Sequence, residues 1–469
     1  MKKQIKSKGK PTTLERLHPL ETDAAGIDIG ANEIWVAVPP ERVEQPIRRF
    51  GAFTVELKAI VAWLQQCQIR TVAMESTGLY WIPLYQLLAD AGLKVCLVNA
   101  RHVKNVPGRK SDVRDCQWLQ YLHSVGLLRA SYRPQQAVCA VRSIYRYRQN
   151  LITLCAQHVQ HMQGALDQMN VKLHHVIDDL TGVTGLAIVE AILAGQRDPL
   201  QLANYRHPRI RATQQSIAKA LEGDWRSEQL FVLKTAWENW KHAQEQIQKC
   251  DQQLLQYSRR LEDCTRVTPA GKTIQLDHQK LGGAQSHPTQ ARPKRASKND
   301  PNGPWQEELC RIFGVDLTAI PGVNLATTMT LMSELGNDLS AFKNAHHFAS
   351  WLCLCPDNET SASKVLRRAT RRSQNRVRQA LRMAASSLHH SYSYLGEKYR
   401  RLRTKLGAPK AITAMAHQLA RIIWHLIVHQ VPFDASIFAA QQKANELRRF
   451  KRLSSAARKM GFTLTPLPT

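Results

Sequence analysis

The sequence predicts an α/β domain at the N-terminus, then long coiled-coil helices, then an all-α C-terminal domain. Three observations predict it: short apolar runs alternate with helix-period stripes over residues 24–135, a heptad repeat follows, and the pattern is helical again beyond a Pro/Gly-rich basic stretch. Residues 25–38 read as a hairpin of two strands turning near Gly30-Ala31-Asn32. A third strand falls near Arg48–Thr54, and a helix over Val55–Gln66 carries the stripe Leu57, Ile60, Val61 and Leu64. Strand 71–75, helix 79–91, strand 94–98 and helix 112–125 complete the first domain.

Three antiparallel strands followed by alternating helix and strand is the order of a ribonuclease-H-like (RuvC-like) domain. Four acids fall where a metal-dependent nuclease of that order needs them. Asp28 interrupts the apolar run Gly26-Ile27-Asp28-Ile29-Gly30, and Glu75 ends Thr71-Val72-Ala73-Met74. Asp112 and Asp115 open the last helix on one face. Clustered carboxylates suit two Mg²⁺ ions held across a scissile phosphate, with Mn²⁺ as the substitute. Singly, Asp112 reads as a helix-dipole residue and Glu75 as a solvated strand end. Asp28 resists that reading, because an acid inside an apolar strand is costly to bury without a partner.

Net charge is +28 over 469 residues, the electrostatic footprint of a polyanionic partner. Basic and aromatic residues alternate in Tyr132-Arg133, Arg142 and Tyr145-Arg146-Tyr147-Arg148. Lys364, Arg367, Arg368, Arg371, Arg372, Arg376 and Arg378 form a tract with no acid, whereas a merely solvated helix face mixes both signs. Arg101, Lys104, Arg109, Lys110 and Arg114 surround the second acid pair and join the nucleic-acid-binding candidates. Ten cysteines occur without repeated Cys-x-x-Cys spacing, which reads as reduced thiols in a cytoplasmic protein. The basic N-terminus lacks a signal-peptide core, and Arg421, His425 and His429 break the apolar stretch Ile422–Val428, so no membrane span is expected.

Ile152, Val159, Leu166, Leu173 and Leu180 recur every seven residues, with Cys155, Met162, Met169 and Val176 on the alternate seam. This predicts a coiled coil, with dimerisation preferred over an intramolecular hairpin. A weaker series is Leu233, Trp240, Ile247, Leu254 and Leu261. The implied organisation is a basic tail (1–23), the carboxylate domain (24–135), a coiled-coil region (136–264), a mobile basic linker (265–304) and a C-terminal helical domain (305–469). In the last, a Ser-containing loop, Thr360-Ser361-Ala362-Ser363-Lys364, precedes the basic tract. A serine there suits nucleophilic attack on a phosphodiester, or else caps the following helix.

Several stretches resemble the transposases of the IS110 family, in its IS1111 subgroup, over nearly the whole chain. They are Gly26-Ile27-Asp28, Met74-Glu75-Ser76-Thr77-Gly78, Asn99-Ala100-Arg101, Lys110-Ser111-Asp112-Val113-Arg114-Asp115, Phe348-Ala349-Ser350-Trp351-Leu352, Leu354-Cys355-Pro356 and Leu406-Gly407-Ala408-Pro409-Lys410-Ala411. The resemblance implies an Asp-Glu-Asp-Asp tetrad at Asp28, Glu75, Asp112 and Asp115, and a nucleophilic serine in a Ser-Gly-Gly-Lys motif. Here that motif is Ser361-Ala362-Ser363-Lys364, so both glycines are replaced; position favours Ser361, with Ser363 in reserve. It further implies a site-specific DNA recombinase acting on element ends and target DNA. The resemblance also implies a structured noncoding bridge RNA as guide and dimers that pair into a tetramer. Two alternatives stay open: a junction-resolving nuclease using carboxylates and water alone, and a catalytically silent nucleic-acid-binding protein.

Overall fold

The computed structural model describes residues 17–76, 78–99, 112–261, 266–267, 273–274, 297–361, 364–367, 369–371 and 373–462. The chain divides into two compact units, residues 1–133 and 134–469.

In the first unit, β1 (Ala24–Ile29), β2 (Glu33–Ala37) and β3 (Ile47–Gly51) are followed by α1 (Thr54–Gln66), β4 (Thr71–Glu75), α2 (Trp81–Asp90), β5 (Lys94–Val98) and α3 (Asp112–Ser124). The five strands form one sheet in the order β3-β2-β1-β4-β5. β1–β2 and β2–β3 are antiparallel, while β1–β4 and β4–β5 are parallel. Two faces of the sheet are covered for different reasons. Ala25, Ile27 and Ile29 of β1, with Val72 and Met74 of β4, pack against Leu57, Ile60 and Leu64 of α1 and Leu84 and Leu88 of α2. The alternate residues of β1 face α3, because side chains on a strand alternate sides. Gly26 makes this approach possible: a Cβ there would stand 2.3 Å from both the Cys116 carbonyl oxygen and the Gln120 amide nitrogen. Gln120 Nε2 donates to the Ala24 carbonyl at 3.2 Å, fastening helix to strand.

The second unit begins with α4 (Gln136–Gln168), about 50 Å long at 1.5 Å per residue. A 3₁₀ turn (Leu173–His175), α5 (Val183–Leu193), α6 (Pro199–Ala203) and α7 (Gln214–Ala220) lead to α8 (Ser227–Ser258). The short strands β6 (Arg266–Val267) and β7 (Thr273–Ile274) pair antiparallel. Then come α9 (Trp305–Phe313), α10 (Leu325–Leu335), α11 (Ala345–Trp351), β8 (Glu359–Ser361), β9 (Lys364–Arg367), α12 (Arg376–Ser387), α13 (Tyr394–Leu406), α14 (Ala408–His429) and α15 (Ala439–Lys459).

The heptad seam is closed within the chain. Leu151 and Cys155 of α4 pack with Ala243, Ile247 and Cys250 of α8, and farther on Met162, Ala165 and Leu166 pack with Leu233 and Ala236. This is the hairpin alternative rather than the expected dimer seam. The heptad also outruns its helix. Met169, Leu173 and Leu180 lie beyond the end of α4, in a tip subdomain with Ile188, Ile192, Leu202, Ile217 and Leu221. An apolar period fixes which face is buried, not which chain covers it.

Residues 297–304, expected in the linker, are tied to the hairpin. Arg148 and Asp251 form an ion pair with side chains only 2% and 3% exposed. Arg148 Nη1 donates to the Asn299 carbonyl at 2.9 Å, and the Asn302 amide donates to Asp251 Oδ2 at 3.0 Å. The remaining linker residues mostly lie outside the described ones. α14 is long and apolar enough to cross a membrane by length and composition. Yet Ala411, Met415, Leu419, Ile423 and Leu426 are buried along one face, and α14 packs on α11, α12 and α13. It is the central helix of the C-terminal bundle.

Candidate carboxylate site and serine hairpin

β1 and β4 run parallel in a register that pairs Ile27 with Met74, so Asp28 and Glu75 occupy the next row. Ile27 and Met74 belong to the core shared with α1 and α2. One residue on, Asp28 and Glu75 therefore share the opposite face, the one α3 covers. Thr71, also on that face, confirms the placement: its Oγ1 lies 2.8 Å from Nε2 of His123 on α3. Asp28, the penultimate residue of β1, and Glu75, the last of β4, are both part-buried within otherwise buried strands.

α3 begins at Asp112 and carries Asp115 in its first turn, where the positive end of the helix dipole favours carboxylates. Cys116, beside Asp115 on α3, lies within electrostatic reach of Asp28 as well. Burial is the main cause pushing its thiol up to about 12, and the charges of Asp28 and Asp115 push in the same direction. Asp28 of β1 and Asp115 of α3 thus act on one buried group, with Glu75 beside Asp28. The Asp112 and Arg114 side chains lie outside the described residues, as do Arg101, Lys104, Arg109 and Lys110. Among the described residues, no three His, Cys, Asp or Glu side chains form a group that holds a metal ion by themselves. The available donors are carboxylate oxygens, the chemistry that Mg²⁺ takes together with water and phosphate oxygens.

Ser361 ends β8 and pairs with Lys364, the first residue of β9, in an antiparallel hairpin. A bridge between Pro356 and Thr370 extends it, with the Asp357 amide donating to the Ala369 carbonyl at 2.7 Å. Ser361 is exposed. The next element along the chain is a strand, so the helix-cap alternative does not hold for Ser361. Ser363, Arg368 and Arg372 lie outside the described residues, as do the side chains of Lys364 and Arg367. Arg371 Nη2 reaches Ser350 Oγ at 3.0 Å. Arg376 opens α12, whose start is capped by Asn375.

The basic aromatic stretch before and along α4 has protein partners instead of an open face. Arg133 stacks 3.8 Å above the Tyr85 ring. Arg146 Nε and Nη2 meet Glu334 Oε1 and Oε2 at 2.8 and 2.7 Å, Arg142 lies 3.2 Å from Glu334 Oε2, and Arg148 holds Asp251. Only Tyr147 among Tyr145–Arg148 stands more than half exposed. The partners are distant in sequence, so no local pattern could have revealed them.

Comparison with known proteins agrees with the order of these two regions. Residues 25–171 match the family model described as "Transposase", of the DEDD type found in IS110 elements, and residues 316–400 match "Transposase IS116/IS110/IS902 family". A protein of Sinorhizobium fredii named "Putative transposase y4pF/y4sB" is 34% identical over 137 residues, covering 26% of this chain and 34% of that protein. The match therefore spans about a third of the relative's own length. The class these matches define is the transposases. Both models describe transposases of IS110-type elements, and they match this chain in order, the first over residues 25–171 and the second over residues 316–400.

Proposed function

We propose that this protein cuts and rejoins DNA at the ends of its insertion element and at a target site, with the first unit acting as a RuvC-like domain. The observation that carries this reading is the placement of Asp28 and Glu75 side by side on parallel strands, beneath the helix that begins with Asp112 and Asp115. Asp28, Glu75, Asp112 and Asp115 would hold Mg²⁺ or Mn²⁺. When bound, such an ion polarises the scissile phosphate and offsets its negative charge.

The chain's own nucleophile is Ser361. Its hydroxyl oxygen bonds to phosphorus while the bond to the 3′ oxygen breaks. The serine proton passes to that oxygen, leaving a free 3′ hydroxyl and a 5′-phosphoserine link. Attack by the 3′ hydroxyl of the exchanged strand reverses the chemistry and frees the serine. Ser363 is the reserve nucleophile. Lys364 and Arg367 of β9, with Arg368, Arg371, Arg372 and Arg376 following it in sequence, neutralise phosphates. Sequence choice rests with a structured bridge RNA, and self-association into dimers and a tetramer brings carboxylates and serine from different subunits together. The protein acts in the cytoplasm, on the nucleoid.

A strand-cleavage assay with element ends, flanking transcript and Mg²⁺ tests the carboxylate part. Asp28→Asn and Glu75→Gln should each lower cleavage at least 100-fold, since loss of one strong electrostatic stabiliser costs about that much. Parental rates in either variant overturn it.

A further inference from the structure

The tip of the α4–α8 hairpin carries a cleft whose lining, residues 175–212, falls outside both stretches matched to transposases. It is an open cavity of about 730 Å³ between the turn preceding α5 and the loop after α6. We propose that this cleft is a separate nucleic-acid contact, taking the sugar-phosphate backbone of a strand or duplex.

The loop wall is built to present cations. Arg206 is spent on structure: its Nε donates to the Ala212 carbonyl and its Nη2 to the Ile210 carbonyl, both at 2.6 Å. That pinches residues 206–212 into a fixed arc and leaves Arg209 and Arg211 exposed on the cleft, with no ion pair among the described residues. Thr184 fastens the arc to α5, donating to the Tyr205 carbonyl at 3.2 Å and accepting the His207 amide at 3.0 Å.

The opposite wall is bare backbone. Gly182 precedes α5 without a side-chain cap, and Val183 stands 79% exposed. Gly185 is packed so tightly that a Cβ would lie 2.2 Å from the Leu180 carbonyl oxygen. Among the described residues, the amides of Val183, Thr184 and Gly185 have no acceptor. Amides at a helix start beside two arginines suit phosphate oxygens. The two acids on the cleft differ. Asp179 is neutralised by Lys298, whose Nζ lies 2.9 Å from Oδ2, while its Oδ1 accepts the Thr181 amide and hydroxyl. Asp178 is exposed and has no cationic partner among the described residues, so it opposes binding. An open cleft of this volume is wider than one phosphate needs, which favours a run of backbone over a small anion.

The proposal rests on the transposase reading only in expecting nucleic acid to be present. Its test is photo-crosslinking of the full chain carrying a benzophenone residue at Val183. The probes are a duplex bearing the element end and a transcript of its flanking noncoding region. An adduct is expected with one of them, and which one identifies the source of the backbone. Arg209→Glu with Arg211→Glu should cut its yield at least tenfold, and Asp178→Asn should raise it. Arg209→Ala with Arg211→Ala should also lower the slope of log affinity against log salt by about two, one for each phosphate that an arginine no longer neutralises. No adduct with either probe overturns the site. So does a yield unaffected by the arginine changes, or an equal yield from a benzophenone at Leu200, exposed on α6. An Asp28→Asn background should leave the adduct unchanged, so failure of the cleavage reading and failure of this one are separable.

Discussion

Arg146 and Glu334 meet as a bidentate pair, 2.8 and 2.7 Å, binding the first long helix of the second unit to α10. Glu334 is only 9% exposed at its side chain and also receives Arg142. Removing the carboxylate takes the counter-charge from both guanidinium groups, although Arg142 keeps the Ser333 and Glu334 carbonyls. Glu334→Ala is expected to lower stability by about 2–3 kcal/mol, less than for a fully buried pair because Arg146 is half exposed. Denaturant unfolding checks this. Nucleic-acid affinity of folded Glu334→Ala should be unchanged or higher, because the change frees cations.

Arg148 and Asp251 make the deeper pair, and their loss should propagate. Asp251→Asn leaves a buried guanidinium without its counter-charge, costing about 3–5 kcal/mol. It also weakens the acceptor that holds the Asn302 amide. Hydrogen exchange at residues 297–302 should rise well before that of α8. Uniform exchange along both would contradict the clamp.

Gly26 sets the distance between Asp28 and the helix bearing Asp115. The atoms that a Cβ would meet are backbone atoms of Cys116 and Gln120, which cannot swing aside. Gly26→Ala should cost about 1–3 kcal/mol by overpacking and lower strand cleavage more than it lowers the folded fraction. Cleavage at the parental rate per folded molecule would show that this spacing does not matter.

Cys116 gives a pH signature. Its thiol is held up by burial first and by Asp28 and Asp115 as well, to about 12, above the ordinary 9.0. A pKa raised on folding contributes stability that is full below about pH 9 and is lost as pH climbs toward about 12. At about pH 8 the native thiol should therefore resist iodoacetamide, while half-buried cysteines react faster. Peptide mapping after timed alkylation reads this directly.

Much of the first unit was legible because its signals are local. Asp28 stands out as an acid in an apolar strand, and strand and helix boundaries follow hydropathy period within a few residues. The α4–α8 hairpin was legible as helix but not as partner, because Leu166 and Leu233 display the same apolar face whichever chain covers it. Arg142, Arg146 and Arg148 misled for a related reason. An arginine prepared for a carboxylate looks like one prepared for a phosphate, and Glu334 and Asp251 lie more than a hundred residues away. The serine hairpin was hidden because β8 (Glu359–Ser361) and β9 (Lys364–Arg367) are only three and four residues long, too short to show the alternation that marks a strand. The tip cleft left only Gly182-Val183-Thr184-Gly185 as a trace, and that reads equally well as a connector.

The central claim joins the carboxylates to a serine that becomes covalently attached to DNA. Mixing protein, element-end DNA, flanking transcript and Mg²⁺, then denaturing and mapping any DNA-linked peptide by mass spectrometry, tests it most directly. The account predicts a 5′-phosphoserine adduct on Ser361 that is absent from both Ser361→Ala and Asp28→Asn proteins. An adduct on Ser363 would move the nucleophile by two residues. Efficient cleavage with no adduct on either serine would contradict the account and make the protein a water-using, junction-resolving nuclease.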